Sequence, residues 1–361
     1  MISPRALPLT SVALALGLAM TVYGAGTLPV ARAAQDPPPL EREQAALGLL
    51  ERAAHAARSV GYRGTQFISA WDPSGTTAYI ADVAHAPGHG VAVQVESTPE
   101  TPGGAVFSSD GRPVLGLEGP TGGALALLAR NYDLRVAGTG RVAGRDAHVV
   151  EALRTDRSVA GRFWLDAATG LVLRRHALDS AGRTVRASAY VDIAIGRDQV
   201  ALTHLPPVLP QPWTTRVSEA GLRRMRAAGW SCPQGLPDRL ALYDARRQPL
   251  SGSGPGGVLH LSYSDGLSTV SVFQQRGRLE GVPAGYRPAR VHGLAVHVHE
   301  GLPRRVVWSA DGTVYTVFAE APWETVQAVV TSLPHEEEES GMLNRVGRGF
   351  GRVVSWLNPF G

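Results

Sequence analysis

The sequence predicts an α+β protein built mainly from antiparallel strands, and three observations predict it. First, 42 Gly and 26 Pro among 361 residues give the turn density of an all-β or α+β chain. Second, Asp72, Asp110, Asp166, Asp179, Asp265 and Asp311 each sit just before or within a Gly-containing turn between strand-like runs. Aspartate accepts backbone N–H bonds across such turns and glycine supplies positive φ. These carboxylates therefore mark hairpins rather than catalytic acids. Third, the length suits two domains, and 44% hydrophobic content can fill two ordinary cores.

The elements follow in order. Residues 1–33 carry Arg5, an apolar run and Ala31-Arg32-Ala33, the pattern of a cleavable signal peptide. An uncleaved membrane anchor is the alternative for so long an apolar run. After a Pro-rich lead-in, Leu40, Leu47, Leu50, Ala54 and Ala57 form one apolar stripe of a helix that ends at Gly61. "YRGTQFISAW" and "TTAYIADVAH" pair across the turn "DPSG", and "VFSSDGRPVLGL" repeats the pattern. "GGALALLARNY" is a short helix. "YDLRVAGTGRVAGRDAHVVEAL" supplies two strands, and "GRFWLDAATGLVLRRHALDSAGRTV" supplies three more. These elements make a first domain over 40–196.

Residues 197–217 include Pro206, Pro207, Pro210 and Pro212 and read as a linker. A second domain over 218–333 opens on the helix "SEAGLRRMRAAGW". That helix buries Leu222 and Met225 and turns Arg223, Arg224 and Arg226 to solvent. Its strands end at the helix "PWETVQAVVTSL", with Pro322 near the first position. Residues 334–361 are an acidic break and a basic amphipathic tail. Leu343, Val346, Phe350, Val353 and Leu357 take one side, and Arg345, Arg348 and Arg352 another. Such a tail suits contact with an anionic membrane surface. The interrupting Gly347, Gly349 and Gly351 equally suit a tail without structure of its own, or one packed on the sheet.

Composition excludes several chemistries. The chain has no lysine, so its 35 basic residues are all arginine. Walker nucleotide binding, Schiff-base catalysis and kinase chemistry all need that lysine. A net charge of +4, with the arginines spread along the chain, gives no nucleic-acid footprint. Cys232 is the single cysteine, so no internal disulfide forms, and "GWSCPQG" places neither His nor Arg immediately beside it. His297, His299 and Glu300, with His292 nearby, could place two imidazoles on one strand face, but no third or fourth ligand stands at a convincing spacing. "HAPGH" (His85, His89) and "GSGPGG" read as loops. There is neither a G-x-S-x-G elbow nor an H-E-x-x-H motif. No catalytic residue, metal or cofactor is predicted.

The layout resembles a known family. "LLERAAHAARSVGYRGTQFIS" resembles the opening of the RseB/MucB family of envelope-stress sigma-factor regulators. "NYDLRVAGTGRVAGRDAHVVEAL" with the strands after it resembles the later part of the same domain. "FWLDAATGLVLRR" is also similar to a pattern in LolA-type lipoprotein carriers, and "YSDGLSTVSVF" resembles the central hairpin of the family's C-terminal domain. The resemblance covers roughly residues 40–333; the tail after Leu333 departs from the family pattern.

The resemblance implies a curved antiparallel half-barrel over helices, LolA-like, followed by a smaller α+β domain. It implies an extracytoplasmic protein, in the periplasm or cell envelope, that binds the exported segment of a membrane anti-sigma factor and shields it from proteolysis. A lipid ligand is implied as the releasing signal. The alternative is a LolA-like lipid or lipoprotein carrier. Strand alternation in the implied half-barrel selects Tyr62, Phe67, Trp71, Trp164 and Leu173 as core or cavity lining. Tyr263 and Phe273, in the hairpin, are the expected partner-binding residues.

Overall fold

The computed structural model describes residues 39–72, 75–95, 104–108, 123–196, 215–249, 257–300 and 303–336. The leader, the turn at Asp110, most of the Pro-rich linker, nearly all of the Gly-rich loop and the basic tail lie outside the described residues.

The first half runs α1 (Pro39–Ser59), β1 (Tyr62–Asp72), β2 (Gly75–Ala86), β3 (Gly90–Val95), β4 (Gly104–Ser108), α2 (Gly123–Asn131), β5 (Asp133–Val142), β6 (Arg145–Leu153), β7 (Val159–Asp166), β8 (Val172–Leu178) and β9 (Thr184–Ile195). The strands form one antiparallel sheet in the order β4-β3-β2-β1-β9-β8-β7-β6-β5. Two meanders are thus joined where β1 pairs with β9. Register shifts interrupt the ladder at Thr65/Gln66, Val136/Gly138, Ala152/Leu153, Trp164/Leu165 and Ala177/Leu178. Bulges of this kind bend strands and deepen twist. The sheet curls without closing, and β5 comes back into contact with β9.

Helix α1 lies against β5, β6 and β7 on the inner side of that curl. Its buried contacts are Ala46, Leu50 and Ala53, packed with Leu128, Leu134, Val150, Phe163 and Leu165. The expected stripe holds from Leu47 through Leu50 and Ala54 and departs only at its start. Leu40, in the first turn, is 72% exposed, and small alanines make the close approach to the sheet.

The second half runs β10 (Thr215–Arg216), α3 (Glu219–Ala227), β11 (Gly235–Leu236), β12 (Leu240–Pro249), β13 (Gly257–Ser264), β14 (Thr269–Arg276), β15 (Arg287–Val291), β16 (Leu294–His299), β17 (Arg304–Ala310), β18 (Thr313–Glu320) and α4 (Trp323–Ser332). Its sheet has the order β10-β12-β13-β14-β18-β17-β16-β15, with β11 on β12. Ser218 caps α3 by accepting the Gly221 N–H at 3.2 Å. Leu222 and Met225 are buried as expected, together with Val326, Val329 and Val330 of α4. The molecule is thus α+β with a curved antiparallel sheet. Among the described residues no helix is long and apolar enough to cross a membrane.

Three of the turn aspartates, Asp166, Asp179 and Asp265, accept backbone N–H groups as their spacing predicts, while Asp110 and the Asp72 side chain lie outside the described residues. Asp166 accepts Thr169 N–H at 2.8 Å, and Asp179 accepts Ala181 and Arg183 N–H at 3.0 and 2.8 Å. Asp265 accepts Leu267 and Ser268 N–H at 2.8 and 2.6 Å. Asp311 and Gly312 both occupy positive φ in the β17–β18 turn.

Candidate functional site

The two sheets meet where the β13–β14 turn reaches the inner side of the first sheet. The turn carries Asp265, Gly266, Leu267 and Ser268. Asp265 does two jobs here. Its Oδ1 caps its own turn, and its Oδ2 accepts the Tyr132 hydroxyl at 2.7 Å. Its carbonyl accepts Asn131 Nδ2 at 3.0 Å. Burial and the neighbouring Asp265 charge push the Tyr132 hydroxyl far above its ordinary pKa, so it remains a donor. Leu267 joins the core of the first half, and Arg175 donates to its carbonyl. A Cβ on Gly266 would stand 2.3 Å from the Leu128 nitrogen, and one on Gly161 would stand 2.6 Å from Leu267. Arg239 adds a bond to the Asn131 carbonyl at 2.7 Å. Arg186 pairs with Glu320 across the same seam at 3.2 Å.

The structure separates the five residues selected as cavity lining. Tyr62 is buried, stacked on His85 at 5.3 Å and edge-on to Tyr190 at 6.1 Å. Leu173 is buried in the same cluster. Phe67 and Trp71 stand on the opposite face of β1, 44% and 38% exposed, because β1 keeps strict alternation through its whole pairing with β2. Trp164 is half-buried, with Arg174 and Arg162 over its ring at 4.8 and 5.8 Å and His176 at 4.9 Å. Arg174 Nε donates to His176 Nε2 at 2.8 Å. Burial, then Arg174 and Arg162, lower the His176 pKa to about 4, which keeps that acceptor neutral. Beside them Glu151 takes Arg135 and Arg162 at 2.9 and 2.8 Å.

Tyr263 and Phe273, the expected partner contacts, lie inside the molecule. Both are buried. Tyr263 donates to the Pro233 carbonyl at 2.9 Å, and Phe273 stacks on His260 at 4.2 Å. Alternation puts Tyr263 on the core face of the second sheet and Phe273 on the opposite face, between His260 and Phe318. Sequence reasoning missed Arg175, Tyr132, Gly161 and Leu267. One signal was available. Arg174 and Arg175 are adjacent on a strand, so one of them has to face inward.

Elsewhere, β16 pairs with β17 only through His297–His299. Beyond that point the strands part over a groove of about 490 Å³ lined by Leu279, Val296, His297 and Trp308. Among the described residues no three His, Cys, Asp or Glu converge as metal ligands. Cys232 is buried, and burial pushes its thiol up to about 11, against the opposing charge of Arg226.

Comparison with known proteins gives four matches. Residues 104–209 match the model of the MucB/RseB N-terminal domain. The chain is 28% identical over 216 residues to the sigma factor AlgU regulatory protein MucB of Pseudomonas aeruginosa. That match covers 58% of this chain and 62% of the relative, so it spans less than two thirds of the relative's length. The crystal structure of MucB aligns with a TM-score of 0.51 at 22% identity, covering 81% of this chain and 98% of that one. MucB in complex with MucA(peri) aligns with a TM-score of 0.46 at 22% identity, covering 81% and 100%. A family-model match over residues 104–209, a MucB relative and a fold shared with MucB agree with one another, and the chain is similar to the MucB/RseB family.

Proposed function

We propose that this protein is an extracytoplasmic negative regulator of an envelope-stress sigma factor. It binds the exported segment of a membrane anti-sigma factor and covers a protease-sensitive stretch of it. The observation that carries this reading is the similarity to MucB, a relative named as a sigma-factor regulatory protein. Export rests on the leader pattern at residues 1–33. Each sheet is a domain in this reading, and the two are coupled at the β13–β14 turn. The inner wall around Tyr62 and Leu173 receives the lipid signal that favours release, by binding the unbound form more tightly. The proposed role is binding, with no covalent step.

The test is calorimetry between the mature chain and the exported segment of its anti-sigma factor. Saturable binding, together with slower cleavage of that segment by its protease, is expected. Absence of binding sinks the proposal. Stoichiometric co-purified lipid without anti-sigma affinity, read by native mass spectrometry, would instead mark a LolA-like carrier.

A further inference from the structure

A crevice at the seam gathers an excess of positive charge. Arg175 and Arg186 reach it from β8 and β9, and Arg304 reaches it from β17. Glu320 is the one acidic side chain among the residues that line it. Arg186 and Glu320 are held tightly there, with side chains only 15% and 17% exposed. Arg304 lies over the Trp323 ring at 4.4 Å, and Arg175 stands 5.7 Å from the Phe163 ring. Asp265 is close by, but its oxygens serve its own turn and Tyr132.

The physics favours an anion in this place. Charges at a water-poor seam interact more strongly than on an open surface. Burial, and then the like charge of Arg186, bring the Arg175 pKa down to about 10. A guanidinium so placed gains from an added negative charge. Pro322 and Trp323, at the amino end of α4, border the same space, so the helix dipole adds positive potential. Ser268 brings a hydroxyl. The void is about 50 Å³. That admits a small ion or a few waters and lies far below the roughly 300–1,000 Å³ of pockets for larger ligands.

We propose that this crevice binds a small phosphate-class oxyanion, held between Arg175 and Arg186 of the first sheet and Arg304 of the second. The site exists only while the halves are joined. An occupant therefore stabilises the joined form by mass action. This inference is independent of the anti-sigma reading.

The test titrates the full chain with inorganic phosphate at constant ionic strength, with chloride as the balancing anion. Calorimetry and the fluorescence of Trp71 and Trp323, which both line the crevice, report occupancy. One-to-one saturation is expected, with a rise in Tm. Arg304→Gln, checked for native fold by near-UV circular dichroism, should weaken binding at least tenfold. Glu320→Gln should tighten it several-fold, because the competing carboxylate charge is gone. A parallel titration with monomeric short-chain phosphatidylglycerol identifies the source. Binding tighter than inorganic phosphate assigns a headgroup, and binding of phosphate alone assigns a free ion. No saturation by either, or an affinity indifferent to both substitutions, overturns the site.

Discussion

At the residue scale, the turn aspartates differ in how far they are buried, and this sets what each contributes. Asp166 is 1% exposed and receives Arg145 through two bonds, at 2.7 and 3.0 Å, besides its turn N–H. Asp179 makes the same kind of turn, but its partner Arg183 is 77% exposed. Asp166→Ala should therefore cost about 2–3 kcal/mol and Asp179→Ala no more than about 1 kcal/mol, measured by urea denaturation. Equal costs would contradict this account. Burial alone would raise the Asp166 carboxyl, but the bonds from Arg145 and Thr169 outweigh it and hold the group below the ordinary carboxylate range. The same balance, with Arg135 and Arg162, lowers Glu151. A depressed folded pKa gives stability that is complete above the unfolded value, about 4, and is lost as pH falls through the folded one. The urea midpoint should accordingly fall below about pH 4, and Asp166→Asn should flatten part of that fall. A wild-type midpoint that holds constant down to pH 3 would exclude this linkage.

At the element scale, the β13–β14 hairpin is the piece that joins the sheets, and only half of its role was legible in the sequence. "YSDGLSTVSVF" gives the strands, the turn and the cap, because those depend on neighbours within a few residues. The destination of the tip depends on Tyr132 and Gly161, more than a hundred residues away, and no local pattern encodes that meeting. The same limit applies to Tyr263 and Phe273, which the sequence offers as contact residues and the structure buries. Large rings in a hairpin look the same in sequence whether they face a core or a partner. Gly266 is where the tip has no room. Its φ is +100°, and an added Cβ would collide with the Leu128 backbone. Gly266→Ala should cost more than about 2 kcal/mol, since it combines backbone strain with a steric clash. Amide exchange should rise in α2 and in the β13–β14 turn while the far strands β3 and β16 keep their protection. A rise spread evenly over both sheets would mean that the tip is not the local joint described here.

At the scale of the whole molecule, the question is whether the two sheets behave as one body. Length and the Pro-rich stretch predict two domains, and the default for such a pair is independent motion unless the junction is large and apolar. The described residues of both sheets fall within one compact unit. The junction combines a buried apolar plug, Leu267, with the Tyr132–Asp265 bond, the Arg186–Glu320 pair and the bond from Arg175 to the Leu267 carbonyl. Each polar tie is worth only about 1 kcal/mol net, but several act together on groups that would otherwise be buried without partners. Separating the sheets would pull Leu267 out of the first core and expose it to water, so opening the seam and melting that core should be coupled events. Calorimetry of the mature chain should then show a single transition whose van't Hoff and calorimetric enthalpies agree. The double variant Leu267→Ala with Tyr132→Phe removes the plug and the central bond at the edge of the first core and leaves the second core untouched. It should split the trace into two transitions, each assignable by exchange to one sheet. Two well-separated transitions in the wild-type chain, or a single one that survives the double variant, would place the coupling somewhere other than this hairpin tip.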